Sequence, residues 1–329
     1  MRLRRRYSEA SAPGKVVLFG EHFVVYGNPA ILAAIDKRVH AKIQVSSGEE
    51  ITILSGQKLV GPAGSERIIK TQNSPEPKQL LEPLVECAKA VLSERDSKIG
   101  LNIELNSYFP MGIGLGSSAA CCVAITGAVD SLFHQPTKKW ICMKATESER
   151  RIHHNSSGAD CNICTYGGIM YYTKRNGFRR IRIKKDLPLA LLNTKERHST
   201  GELVSSVKNY RDSNYQAFKV LAGSSKIISK KAVNAIKQND YRRIGGLMNQ
   251  NQTLLQEIGV STRKIQRLID LCLKKGALGA KLTGAGGGGC VISLFPPEKH
   301  STFFRWIENN LKTCEPFPSK IDYEGVLIH

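Results

Sequence analysis

Apolar and polar residues alternate along Leu101-Asn-Ile-Glu-Leu105, the period of a half-buried strand. Shortly afterwards Ala119-Ala-Cys-Cys-Val-Ala-Ile-Thr126 is apolar almost all round, which predicts a helix buried on every side. Near the N-terminus, Val16–Phe19 reads as an apolar strand, with Lys15 at its start and Gly20-Glu21-His22 at its end. Val291-Ile-Ser-Leu-Phe295 reads as another, stopped by Pro296-Pro297. Phe178, Ile181 and Ile183 alternate with Arg179, Arg180 and Arg182, a strand with a basic solvent face. Further on, Ser261 is placed to cap a helix bearing Ile265, Leu268, Ile269 and Cys272 on one face, and Gly276 to end it. A Gly/Pro/Ser-rich interruption from Ser55 to Pro77 has the length of a lid or mobile loop. A break near Lys184-Lys-Asp-Leu-Pro188 divides strands and buried helices from a more helical second half. The pattern predicts an α+β chain of two domains, residues 1–185 and 186–329.

Between the alternating strand and the buried helix lies Pro110-Met111-Gly112-Ile113-Gly114-Leu115-Gly116-Ser117-Ser118-Ala119-Ala120. Strand, glycine loop and helix together aim free backbone N–H groups and a positive helix end at an anion. Glycine at 112, 114 and 116 lets phosphate oxygens approach without a Cβ in the way. A Walker A loop is excluded, because no lysine lies between 110 and 137. The dinucleotide and protein-kinase pattern Gly-x-Gly-x-x-Gly is excluded too, because position 117 is Ser. An ordinary glycine turn capped by Ser117 or Ser118 remains open on these residues alone. A second cluster, Lys281-Leu-Thr-Gly-Ala-Gly-Gly-Gly-Gly-Cys290, contains Gly-x-Gly-x-x-Gly but runs into a strand, not the helix a dinucleotide site needs. Its glycines imply positive φ or close approach to another backbone or ligand, or a flexible hairpin.

Charge and cysteine content narrow the class. Lys and Arg total 48 against 28 acids, a net charge of +20, and four arginines fall within the first six residues. Such a field attracts ATP, phosphorylated metabolites and any polyanion. The basic segments lack a zinc finger, an aromatic ribonucleoprotein strand or a basic helix, so no specific nucleic-acid partner is expected. Nine cysteines without a signal peptide point to reduced thiols and a cytoplasmic enzyme. Apolar runs fall well short of the ~18 residues a membrane span needs, so no membrane partner is expected. Cys161 and Cys164 form a Cys-x-x-Cys without a second metal-spaced pair, which reads as buried thiols.

Three stretches in order carry a resemblance: Ala12-Pro-Gly-Lys15, the 110–120 loop and Gly284-Ala-Gly-Gly-Gly288. The chain resembles the GHMP small-molecule kinases. Lys15-Val-Val-Leu-Phe-Gly-Glu-His22-Phe-Val-Val-Tyr-Gly27 is similar to the branch acting on mevalonate, whereas a galactokinase carries Arg at 15 and Thr-Asp-Tyr after the histidine. Phosphomevalonate and sugar kinases are the alternatives within the superfamily. The resemblance implies an N-terminal domain like the second domain of ribosomal protein S5, a ferredoxin-like C-terminal domain and an active site between them. It implies ATP as co-substrate on residues 110–120 and Mg²⁺ held by Ser118 and Glu149. Asp160 is placed against the acceptor hydroxyl with Lys15 beside it, while Glu21 and His22 line the acceptor pocket. Gly284, Gly286, Gly287 and Gly288 form the third motif, and Thr200 falls in a family-like Asn193-Thr-Lys-Glu-Arg-His-Ser-Thr200 segment. A homodimer is expected. On the residues alone Glu149 could pair with Arg150 or Arg151 on a solvated face. Likewise, Asp160 could be a turn residue after Gly158, and Ser199 or Thr200 a helix cap before Glu202. Departures are Ser156, where proline is common, and a basic arm at Arg2–Arg6. His153 and His154 adjoin the site in sequence without a clear ligand partner.

Overall fold

The computed structural model describes residues 2–60, 66–70, 77–152, 157–196, 199–311 and 313–329. The first half runs β1 (Tyr7–Phe19), β2 (Ala30–Ser46), β3 (Ile51–Val60), β4 (Glu66–Lys70), α1 (Pro77–Glu94), β5 (Gly100–Ser107), α2 (Ser117–Ser131), α3 (Lys138–Ile152), α4 (Ala159–Tyr166), β6 (Ile169–Thr173) and β7 (Gly177–Ile181). There follow β8 (Leu189–Asn193), α5 (Thr200–Ser213), α6 (Tyr215–Gln238), α7 (Tyr241–Glu257), α8 (Arg263–Lys274), β9 (Gly279–Thr283), β10 (Cys290–Leu294), α9 (Pro297–Asn310), β11 (Glu315–Ser319) and β12 (Leu327–Ile328).

The first sheet has the order β12-β1-β2-β5-β3-β4, with β6 on β2 and β7 on β6. Within it only the β3–β5 pairing is parallel. Every residue of β1 from Ala10 to Phe19 is buried, because α2, α4 and α6 all pack on this strand. Helix α2 is buried along almost its whole length, as its all-round apolar sequence requires. The second sheet, β11-β8-β10-β9, is antiparallel throughout. Its chain order, β8, helices, β9, β10, α9, β11, makes the split β-α-β arrangement of ferredoxin-like domains.

Several elements differ from expectation. Gly56–Val60 and Glu66–Lys70, expected within a loop, pair as antiparallel strands. Strand β3 follows β5 as far as Gln57 opposite Ser107, so an existing edge supplies the backbone bonds that the Gly- and polar-rich sequence does not advertise. Residues 61–65 and 71–76 of that segment lie outside the description. The cap of α8 is Thr262, whose hydroxyl accepts from Ile265 N–H, while Ser261 Oγ accepts instead from Gln252 Nε2 at 2.9 Å. Of the two cap alternatives, Ser199 caps α5, accepting from Glu202 N–H.

The break at 184–188 falls between the sheets, but the end of the chain returns to the first one. Leu327 and Ile328 pair with Ser11 and Ala10, and Arg38 ion-pairs with Asp322. The basic arm is also docked. Arg4 and Arg5 N–H donate to Leu132 O at the C-terminal end of α2, where positive charge complements the helix dipole. No helix among the described residues is long and apolar enough to cross a membrane.

Candidate active site

The open edge of β1 organises the site. Lys15 N–H donates to Leu115 O at 2.8 Å, joining the strand to the glycine loop. Two residues on, Val17 N–H donates to Thr283 Oγ1 at 2.8 Å, and that hydroxyl donates back to Val17 O at 3.1 Å. One strand edge therefore holds the 110–120 loop and the third glycine motif in register.

The three loop glycines have separate tasks, although all adopt positive φ: +77° at Gly112, +84° at Gly114 and +71° at Gly116. A Cβ on Gly112 would meet open space. On Gly114 it would lie 3.2 Å from Thr283 O, and on Gly116 only 2.7 Å from Lys15 Cγ. Gly114 thus accommodates the third motif, and Gly116 makes room for the Lys15 side chain. Ile113 and Leu115, both buried, anchor the loop between its glycines. The cap of α2 is Gly116, with no side-chain cap bond, so Ser117 and Ser118 stand in the first helical turn and the capped-turn alternative is set aside. Ser117 Oγ accepts from Gly112 N–H at 3.4 Å and closes the loop on itself.

The Lys15 ammonium reaches Asp160 Oδ2 at 3.1 Å. Burial opposes its charge, but the Asp160 carboxylate, helped by Cys164 and Glu149, raises its pKa above the ordinary value and keeps it cationic. Asp160 sits in the first turn of α4 and is one-third exposed, open to a substrate, whereas Lys15 is almost sealed. The Gly158 cap that starts α4 has φ +77°, and a Cβ there would lie 2.8 Å from Thr146 Cγ2. Glu149, near the end of α3, is 5% exposed and accepts from Cys161 Sγ at 3.4 Å, while Arg150 and Arg151 point outward. Glu149 therefore does not lie on a solvated face. Cys161 and Cys164 are buried thiols, their pKa values pushed well up by desolvation. His153, His154 and Ser156 lie outside the described residues.

The third motif is the β9–β10 hairpin, with positive φ at Gly284, Gly286, Gly287 and Gly289 but not at Gly288. Gly287 N–H donates to Val260 O at 2.8 Å and Gly289 N–H to Glu196 O at 3.0 Å, so the turn is pinned. A Cβ on Gly284 would lie 3.1 Å from Gly114 O, and one on Gly289 2.7 Å from Ile113 O. The two glycine loops lie back to back, which is the close approach their composition implied.

His22 has φ +57°, and its Nε2 lies 2.8 Å from Ala285 O. A carbonyl only accepts, so Nε2 carries the proton and Nδ1 keeps a lone pair. Glu21 is buried, with one oxygen ion-paired to Lys281 and the other accepting from Asn251 Nδ2 at 3.1 Å. Both of its carboxylate oxygens are thus engaged within the fold. Thr200 is exposed in the first turn of α5, and none of the described hydrogen bonds joins it to the other site residues. Lys281, Thr283, Gly289 and Asn251 were not singled out in the sequence. The only signal available for Lys281 was a charged residue inside an otherwise apolar strand.

Burial lowers the His22 pKa below 6.5, although the Ala285 carbonyl raises it. Because the unfolded chain then takes up the proton first, this contribution to stability is complete above pH ~6.5 and is lost as pH falls. His40 shifts in the same direction, by burial against Glu9. The melting temperature is expected to fall between pH 7.5 and 5.5, and His22→Asn, which tolerates positive φ, to flatten that fall. An identical pH slope in the variant would show that His22 does not carry it.

A glycine loop on a buried helix, backed by a second glycine turn from a ferredoxin-like domain, defines the class of GHMP small-molecule kinases. The family model described as "GHMP kinases N terminal domain" matches residues 83–168, and "GHMP kinases C terminal" matches 232–305. The chain is 35% identical to the mevalonate kinase of Thermococcus sibiricus, over 97% of both proteins. The crystal structure of L. major mevalonate kinase in complex with R-mevalonate matches with a TM-score of 0.85 at 25% identity, covering 98% of each chain. Methanococcus jannaschii mevalonate kinase matches at 0.79 and 27%, covering 97% of this chain and 99% of that one. The protein belongs to the mevalonate kinases of the GHMP kinase family.

Proposed function

We propose that this chain transfers the γ-phosphoryl group of ATP to the 5-hydroxyl of mevalonate, yielding 5-phosphomevalonate and ADP. The observation that carries the reading is the Lys15–Asp160 pair, one-third exposed at its carboxylate end and fixed beside the glycine loop by the Lys15 N–H. ATP lies with its phosphates on residues 110–120, at the N-terminus of α2. Asp160 accepts the hydroxyl proton or orients the hydroxyl for in-line attack, and Lys15 offsets charge on the transferring group. His22, neutral with Nδ1 free to accept, is suited to receive a hydrogen bond from an alcohol of the substrate.

Mg²⁺ fits the donor set. Glu149 is a buried carboxylate and Ser118 a hydroxyl in the first turn of α2, both hard oxygen ligands. When bound, the ion neutralises charge on the phosphates; the protein's own part is to hold it through Glu149 and Ser118. Glu149→Gln is expected to raise the Mg²⁺ concentration for half-maximal activity at least about tenfold, as expected for a lost ligating charge. An unchanged Mg²⁺ titration would remove Glu149 from the metal site.

Two further readings belong here. The nine cysteines stand as free thiols, in keeping with a cytoplasmic enzyme. Exposed Val220 and Ile227, seven residues and about two turns apart on one face of α6, are suited to a homodimer contact. The decisive experiment is turnover by purified protein with ATP against mevalonate, phosphomevalonate, galactose and homoserine. Mevalonate is expected to give the highest kcat/KM, and a better substrate among the others would overturn the reading.

A further inference from the structure

We propose that Lys281 is a positioning residue for phosphoryl transfer, a buried ammonium that clamps the end of β1 to β9 and so sets where His22 stands. The proposal rests on the acceptor reading given above.

Lys281 is fully buried, and its three N–H donors are all spent. One goes to Glu21 Oε1, one to Leu282 O at 2.5 Å and one to Val17 O at 3.5 Å. Glu21 and Val17 belong to the first half of the chain, and Leu282 belongs to β9. Asn251, from α7, holds the second oxygen of Glu21, and the Thr283 hydroxyl brackets Val17 on both its N–H and its C=O. An apolar residue at 281 would leave the buried Glu21 Oε1 and Leu282 O short of a donor, while Val17 O would keep the Thr283 hydroxyl.

The segment that this cluster grips needs holding. The β1–β2 ladder shifts register between Val17 and Phe19 and ends at Phe19 opposite Ile31, so β2 does not set the course beyond Phe19. Gly20 turns at φ +92°, where a Cβ would lie 2.3 Å from Pro29 O, and His22 is a non-glycine residue at φ +57°. Such a conformation persists only where its surroundings enforce it. Contacts flank it on both sides: Lys281 and Asn251 at Glu21, and Ala285 at His22. The glycine loop is tied to β1 upstream, through Lys15 N–H, and does not depend on the clamp. Lys281 therefore governs the alcohol end of the reaction more than the ATP end.

The test compares wild type with the double variant Glu21→Gln/Lys281→Met, which removes both charges while keeping shape. Steady-state kinetics are taken in each substrate, with amide hydrogen exchange over residues 15–23. The double variant is expected to fold, to melt somewhat below the wild type because the buried Leu282 carbonyl loses its donor, and to keep its KM for ATP. Its kcat/KM for mevalonate is expected to fall about a hundredfold, the size of effect that a displaced reacting group produces, and exchange at 15–23 to accelerate. Unchanged kcat/KM with unchanged exchange overturns the proposal, and so does an equal loss for ATP and mevalonate, which would indicate general loosening. Should the double variant not fold, Asn251→Ala releases only Glu21 Oε2, and the same selective loss, smaller in size, is expected. If wild-type enzyme proves to phosphorylate a different alcohol, the acceptor reading falls while the exchange measurement still judges the clamp.

Discussion

Asp160→Asn is expected to lower kcat between about a hundredfold and ten-thousandfold, the range associated with loss of a positioned proton acceptor, while ATP affinity changes little. The amide keeps the size of the carboxylate but neither accepts the hydroxyl proton nor balances Lys15 at 3.1 Å. The second loss has its own signature. Lys15 owes its raised pKa to carboxylates that outweigh burial, with Asp160 the chief among them. In the wild type the raised pKa contributes stability that is fully present below the ordinary lysine value of 10.5 and is lost only as pH rises through the higher folded value. Without Asp160, desolvation prevails and the ammonium discharges at lower pH. Residual activity of the variant should therefore decline with rising pH earlier than wild type. Because Asp160 is one-third exposed, the stability cost should be about 1–2 kcal/mol, below the ~3–5 kcal/mol of a broken fully buried pair. A folded variant with near-wild-type kcat would sink the assignment.

Gly116→Ala is expected to act through Lys15. The new methyl would lie 2.7 Å from Lys15 Cγ and 2.9 Å from Cε, at a backbone φ of +71°. Left-handed strain costs about 1–2 kcal/mol and overpacking about 1–3 kcal/mol more. Lys15 must swing away from Asp160, so kcat should fall at least about tenfold, the equivalent of ~1.4 kcal/mol in the barrier. Gly112→Ala separates the two causes, because Gly112 has a similar φ of +77° but nothing within 4 Å of its Cβ. Gly112→Ala should lose only the strain component of stability. If both variants destabilise equally in thermal melts, the Lys15 contact does not explain Gly116.

The Gly114 contact changes how the glycine loop is understood. On sequence grounds all three glycines served the approach of phosphate. In the fold, Gly114 faces Thr283 O and Gly116 faces Lys15, and only Gly112 is open. The composition identified where a Cβ is excluded but not what excludes it. His22 was legible as a candidate from its motif, whereas the role of Glu21 was not. A carboxylate beside a histidine reads the same whether it faces a substrate or a buried lysine 260 positions away.

What the sequence determined by itself is local. The alternation at 101–105, the all-round apolar helix at 119–126 and the glycine spacing each report backbone geometry within a few residues, because helix and strand periods are set by neighbours in the chain. The family resemblance, carried by the ordered motifs and by the segment from Glu149 to Asp160, nominated Lys15, Ser118, Glu149 and Asp160. Only the tertiary structure decided which of these meet. Lys15 and Asp160 are 145 residues apart (160 − 15) and belong to a strand and a helix that touch only when both pack in one core. The same holds for the strands Gly56–Val60 and Glu66–Lys70, where pairing with an existing edge overrode a loop-like composition, and for the last strand, which returns to β1. Contacts across such separations depend on which surfaces bury one another. Many chain-distant pairings satisfy the same periodicity, and packing selects one.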